Sequence, residues 1–267
     1  MKTSLKLRIS EFKEKLFADF TELPNPLSQT YLPALDGLRG ISIIIVISSH
    51  FAANTALTDY FYGDIGVEIF FVISGFLITT LLLKEKIKFK RVSLKKFYVR
   101  RALRIVPVSY LFLTVMLLLN HKLTLGIPSV NFLASYTYLR NLPLKDTYEW
   151  YTGHFWSLSV EEQFYLCFPF FIVTSTNKFL VIAVLLIAML PVLSFLGFNN
   201  VSVFYSNRII HVITFAIITM LGKGTASILV GALYAILVFK KIIVIERIRS
   251  NFYMSFILLI VACLILT

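Results

Sequence analysis

The sequence predicts an all-α protein, a bundle of transmembrane helices with about seven spans. Three observations carry this. Of its 267 residues, 58% are hydrophobic, and the mean hydropathy is +0.81. The apolar residues gather in separate blocks, each near the length a helix needs to cross ~30 Å of hydrocarbon. The basic residues stand beside those blocks, as they do on a cytoplasmic membrane face. The net charge of +12 is therefore read as a topology signal, and nucleic acid is not an expected partner.

Residues 1–30 form a cytoplasmic N-terminal segment. Leu5, Ile9, Phe12, Leu16 and Phe20 recur at helical spacing with Lys6, Arg8, Lys13 and Lys15 between them, and Pro24 and Pro26 end the pattern. That is an amphipathic helix suited to the inner membrane surface, or a solvated tail that helps set topology. The segment is charged and has no continuous apolar core, so no cleavable signal peptide is expected.

Residues 31–267 form the membrane domain. The first span covers 41–57 and lies within LDGLRGISIIIVISSHF, where Arg39 and His50 are eleven residues apart. On a helix both face the same way, separated by roughly 16 Å along the axis. With Arg39 near one surface, His50 is expected near the middle of the bilayer, where an ionisable group reads as functional. The second span, 66–83, holds Glu68 near its outer end. Its Ser74–Gly75 pair reads as a close-packing point.

Residues 84–104 carry ten Lys or Arg against one acid, Glu85, which places this loop and the N-terminus in the cytoplasm. Arg100, Arg101 and Arg104 stand at the mouth of the third span, 105–119, just before Pro107. Three converging guanidiniums there suit phosphate groups or plain anchoring.

The loop 120–153 is expected outside. Its Tyr136, Tyr138, Tyr148, Trp150 and Tyr151 fit an interfacial aromatic belt or a sugar-binding surface. The fourth span opens with GHFWSLSVEEQFYLCFP. Glu161 shares a face with Ser157 and Tyr165 and is expected to point into a cavity, whereas Glu162 suits an outer polar cap. The fifth span covers 179–196. Lys240, Lys241, Arg247 and Arg249 read as cytoplasmic, so 209–239 must make one net crossing: 209–221 lies at the interface or re-enters, and 225–239 is the sixth span. His211 reads as interfacial. A seventh span begins at Phe252, and the apolar run reaching Thr267 makes the chain look truncated. Cys167 and Cys263 lie in apolar runs without metal-type spacing, so neither a disulfide nor a metal is expected.

Four stretches in order, LDGLRG with its Arg-x10-His spacing, GVEIFFVISGFLI, RRALRIVPVSY and HFWSLSVEEQFYLCFP, resemble the membrane-bound acyltransferase 3 family. These are bacterial O-acyltransferases that modify cell-envelope carbohydrates, and the likeness is strong over about 31–175. The family usually has about ten spans, so the resemblance implies that this chain lacks the last three. It also implies that His50 is catalytic with Arg39, that Arg100, Arg101 and Arg104 serve the acyl-CoA donor, and that Glu161 is the motif glutamate. Glu68 stands where the family often has Asp or Glu.

The implied reaction moves an acyl group, most often acetyl, from cytoplasmic acetyl-CoA or another acyl-CoA to a glycan hydroxyl outside the inner membrane. His50 acts as base or acyl carrier, and Glu161 orients the acceptor from the outer side. The competing readings are a proton-coupled transporter or flippase, with Arg39, His50 and Glu161 as relay, and an inactive truncated family member.

Overall fold

The computed structural model describes residues 2–20, 22–29, 32–52, 62–142, 150–198, 208–218 and 224–244. Among them the secondary structure is entirely helical: α1 (Lys2–Phe17), α2 (Asn25–Ser28), α3 (Pro33–Ala52), α4 (Gly63–Phe89), α5 (Leu94–Leu123), α6 (Ser129–Tyr136), α7 (Trp150–Gly153), α8 (Phe155–Thr174), α9 (Thr176–Phe198), α10 (Arg208–Ile217) and α11 (Thr225–Phe239). Among the described residues four helices are long and apolar enough to cross a membrane: Pro33–Ala52, Gly63–Phe89, Leu94–Leu123 and Thr176–Leu193. Their outer faces carry bare apolar side chains, such as Ile44, Phe51, Leu103 and Leu111, which only lipid or protein can cover without cost. This is a multi-pass helical membrane protein.

The expected sixth span coincides with α11, although 15 residues give it only ~22 Å of rise. Of the region expected at the interface, 208–217 is the helix α10. The expected seventh span, Tyr148, Arg247, Arg249 and Cys263 lie outside the described residues, as does the end of the first span.

Contacts divide the chain into two units. The first is 1–92, 175–184 and 227–267, and the second is 93–174 and 185–226. In the first unit α3 and α4 are antiparallel, since Gly66 lies against Ser42, Ile45 and Val46, and Gly63 against Ser49. At the other end of this hairpin the Lys84 ammonium donates to the Gln29 carbonyl at 2.7 Å. Helix α11 runs parallel to α4: Ser227 donates to Glu68, Phe76 packs on Tyr234 at 5.8 Å, and Gly75 and Gly231 bring the two backbones together. A Cβ on Gly75 would collide with the Ile228 carbonyl oxygen, and one on Gly231 with that of Val72. Ser74–Gly75 is thus a packing point, as its small side chains suggest. Because α11 parallels α4, Lys240 emerges at the same end as Lys84, as the single net crossing of 209–239 requires.

The N-terminal segment is tied to that end. Lys240, itself buried, donates to the Ala18 carbonyl at 2.7 Å and the Asn177 carboxamide oxygen at 2.9 Å, and its ammonium lies 4.9 Å from the centre of the Phe20 ring. Asn177 donates to the Phe17 carbonyl, and Lys241 pairs with Glu22 at 2.7 Å.

In the second unit α5 is one helix of 30 residues that passes straight through Pro107. Proline removes one backbone donor, the one that would meet the Leu103 carbonyl, a loss that membrane helices tolerate. The Ser109 hydroxyl binds the Ile105 carbonyl one turn back at 2.9 Å. Helix α8 packs antiparallel to α5, with Tyr98 donating to the Leu166 carbonyl near one end and Phe112 stacked on Phe155 at the other. Leu113, Met116, Ile127, Phe132 and Phe155 fill the core there.

Candidate active site

The first candidate group sits on α3. Pro33 begins the helix, where its missing N–H costs nothing, and Asp36 lies in the positive first turn. Asp36 and Arg39 are therefore one turn apart and pair at 3.9 Å. The Arg39 guanidinium lies 5.2 Å from the centre of the Phe70 ring, which brings it onto α4. Arg39 and His50 occupy one continuous helix, as their spacing requires.

The depth expected for His50 is corrected by the helix pairing. Helix α3 begins six residues before Arg39, and Ser49 meets Gly63 in the first turn of α4. From Gly63 to Lys84 the rise is ~32 Å, about one hydrocarbon thickness. His50 is therefore near the end of the hairpin opposite Lys84 and is exposed there, instead of buried halfway along.

The second group lies between α5 and α8. Helix α5 starts at Leu94, so Arg100, Arg101 and Arg104 lie on its first three turns, ahead of its apolar stretch, and not in a loop. They do not converge. Arg101 turns toward α8, pairs through its Nε with Glu162 at 3.4 Å, and stacks on Tyr165 with 3.3 Å from guanidinium carbon to ring centre. Arg100 and Arg104 are exposed. Glu161 is buried, with 7% exposure, and accepts a 3.0 Å hydrogen bond from the Tyr165 hydroxyl. Ser157, one turn before Glu161, donates to the His154 carbonyl.

Glu162 is consequently not an outer cap, and the arginines and Glu161 do not mark opposite membrane surfaces. The antiparallel register of α5 and α8 sets them at one level. Sequence reasoning could not see this, because the ion pair joins residues far apart in the chain.

Sequence reasoning also missed how the remaining motif residues act. Ser159 accepts from the Arg140 backbone N–H at 3.1 Å, and Gln163 donates to the Tyr138 carbonyl at 2.9 Å and exchanges hydrogen bonds with Asn141. The available signal was that Ser159 and Gln163 stand one helical turn apart. Tyr136 and Tyr138 pack against α5. Tyr138 bonds Ser109 at 2.7 Å, Tyr136 bonds Thr114 at 3.0 Å, and both pack on Tyr110. Burial pushes the Tyr138 phenol up, and its Ser109 hydrogen bond acts against that. Trp150 and Tyr151 are exposed. Among the described residues no group of His, Cys, Asp and Glu could hold a metal ion.

Ionisable side chains built into long apolar helices define a class of multi-pass membrane protein in which catalysis or transport is carried out within the membrane. The chain belongs to the acyltransferase 3 family, whose sequence model, described as an acyltransferase domain, matches residues 32–267. It is 34% identical over 164 residues to the peptidoglycan O-acetyltransferase OatA of Listeria monocytogenes, covering 54% of this chain and 25% of that protein. It is 35% identical over 180 residues to the O-acetyltransferase OatA of Staphylococcus aureus, covering 60% of this chain and 28% of that one. The chain thus matches about a quarter of each relative's length. No solved structure matches.

Proposed function

We propose that this chain is a membrane-embedded O-acyltransferase that carries an acetyl group from acetyl-CoA to a hydroxyl of a cell-envelope glycan. The names of both relatives support acetyl as the group, and that of the Listeria protein supports peptidoglycan as the acceptor. The chain is placed in the inner membrane with about seven spans and a cytoplasmic N-terminus. The basic helix end holding Arg100, Arg101 and Arg104 faces the donor in the cytoplasm. Glu161, tied to Tyr165 beside Arg101, belongs with the donor end and not with the acceptor.

The observation that carries this reading is the single helix holding Arg39 and His50 within the family match. Arg39, balanced by Asp36, keeps a positive charge on the same face. His50 takes the proton of the acceptor hydroxyl as its oxygen attacks the thioester carbonyl, and the departing CoA sulfur takes up a proton in turn. An alternative order, with the acyl group held briefly on the imidazole, uses the same residue.

The test is acetyl transfer from acetyl-CoA to a peptidoglycan fragment by the purified protein. His50→Ala and His50→Gln are expected to lower the rate by at least ~100-fold, the usual size of a lost acid–base group, with acetyl-CoA affinity retained. Near-normal transfer by His50→Gln overturns the assignment, since Gln cannot shuttle a proton.

A further inference from the structure

We infer that α1 lies in the headgroup layer of the bilayer and binds anionic lipid. That this is the inner leaflet rests on the cytoplasmic N-terminus proposed above.

A clamp at the end of α1 sets its level. The Phe17 carbonyl accepts from Asn177 at 3.0 Å, and the Ala18 carbonyl accepts from Lys240 at 2.7 Å. Phe20 meets Phe239 edge to face at 6.2 Å, and Leu27 is buried. The Gln29 carbonyl then receives the Lys84 ammonium at 2.7 Å. Residues 17–29 thus cross the ends of α9, α11 and α4. No free hinge separates α1 from this clamp, since the Ala18 N–H still donates to the Glu14 carbonyl at 2.9 Å. A helix fixed there starts at the level where hydrocarbon gives way to headgroups.

The arrangement of charge around α1 determines what it can meet. Of its sixteen residues, five are Lys or Arg and two are Glu. At ~100° per residue, positions 5, 9, 12 and 16, all Leu, Ile or Phe, fall within ~60° of one another. The basic positions 2, 6, 8, 13 and 15 all lie within ~90° of the centre of that stripe, on both sides of it. Glu11 and Glu14 lie at least ~130° away. Leu7 and the terminal Phe17 fall outside the pattern.

A helix surrounded by water gains nothing from separating its charges in this way. At an anionic surface it does. Lys and Arg stems lie along the apolar stripe while their heads reach lipid phosphates, and the acids stay in water. Phe12 is 49% exposed, so the described chain leaves the stripe open there. Leu81 and Phe89 of α4, on either side of Lys84, are bare as well, so lipid-facing surface borders the clamped end.

The test uses the purified full chain in nanodiscs, one set of phosphatidylcholine and one with phosphatidylglycerol added. In a Cys167→Ser, Cys263→Ser background, a spin label is attached through Phe12→Cys or Glu14→Cys, positions ~160° apart. Collisions with oxygen report hydrocarbon, and collisions with a nickel chelate report water. In anionic discs the label at 12 is expected to favour oxygen and the label at 14 the chelate. Neutral discs should reduce the oxygen preference at 12. In anionic discs Lys13→Gln and Lys15→Gln should each lower the embedded-to-solvated ratio about fivefold.

Chelate access at both positions makes α1 a solvated tail and overturns the inference. A label at 12 shielded from both reagents does so too, because protein then covers the stripe. An oxygen preference at 12 that is equal in neutral and anionic discs overturns the anionic partner. The leaflet is read separately: Lys13→Cys in intact cells should resist an impermeant thiol reagent. Reaction there overturns the cytoplasmic N-terminus and leaves the seating of α1 standing, since the discs carry the same lipid on both faces.

Discussion

The two units are held together by opposite means. In the first, α4 and α11 approach through Gly75 and Gly231 until backbone touches backbone, and large apolar side chains such as Phe71, Leu82, Ile228 and Ile236 close the rest. In the second, α5, α8 and the segment after α6 are joined by polar groups: Arg101 to Glu162, Ser109 to Tyr138, Ser159 to Arg140, Gln163 to Asn141. Lipid supplies no hydrophobic force between helices, so association needs either close van der Waals fit or hydrogen bonds. Each unit has taken one of these routes. The glycine route tolerates no added atom, and the polar route tolerates no missing partner.

The largest expected effect breaks the first route. Alanine for glycine inside a helix ordinarily stabilises by about 0.5–1 kcal/mol. Gly75→Ala should do the reverse and destabilise by about 3 kcal/mol, the upper end of overpacking costs, because its Cβ meets a carbonyl oxygen and not a flexible side chain. Gly40→Ala on α3 is the control, since nothing lies within 4 Å of its Cβ. Thermal unfolding in detergent should show opposite signs for the two. A neutral Gly75→Ala would mean that the α4–α11 contact is loose.

Next comes the polar route. Arg101→Ala leaves the Glu162 carboxylate partly buried without its cation. Fully buried cases cost about 3–5 kcal/mol. With 17% and 21% of the two side chains exposed, about 2 kcal/mol is expected. Adding Glu162→Gln should recover part of that loss, and no recovery would deny the pair its part in joining α5 to α8.

These two sites also separate what the sequence showed from what it hid. Ser74–Gly75 and α11 were legible because small residues and apolar blocks are local signals with a local physical reason. The pairing of Glu161 with Tyr165 was legible for the same cause, since the two stand one turn apart, but the side of the membrane it serves was not. The placement of Arg101 was not. The basic run and Pro107 suggested a loop ending in a helix mouth, but a membrane helix continues through proline, and α5 carries the arginines inside it. Glu162 was misread because its partner is reached only through the register of two antiparallel helices. His50 was set too deep because the helix start at Pro33 could not be fixed from Arg39 alone.

A smaller effect probes the polar route at a single hydrogen bond. Ser159 is fully buried and accepts the Arg140 backbone N–H. Ser159→Ala leaves that donor without its acceptor and should cost about 1–2 kcal/mol by thermal unfolding, within the range for a buried orphan. Ser157→Ala, whose hydroxyl bonds only back to the His154 carbonyl of its own turn, should cost less than half as much. Equal losses would mean that the serines act through helix propensity and not through the docked segment.

The smallest effect lies at the end of the first unit, where adjacent lysines tie down the N-terminal segment with opposite pH signatures. The Lys241 hydrogen bond and charge hold the Glu22 carboxyl below its usual range. Its contribution is present above the unfolded value near ~4.3 and is lost as pH falls through the lower folded value. Burial lowers the Lys240 ammonium, with Asp19 acting weakly the other way. The unfolded chain therefore binds more protons between the folded value and ~10.4, and stability from this group rises with pH across that alkaline window. Glu22→Gln should shift the unfolding temperature slightly at neutral pH and not at all in strong acid, and added salt should erase the shift because both partners are exposed. Lys240→Met should remove the alkaline rise, although it also breaks the bonds to Ala18 and Asn177. If the Glu22 effect survives high salt, the N-terminal segment is held by a buried charge pair, and the first unit uses the polar route after all.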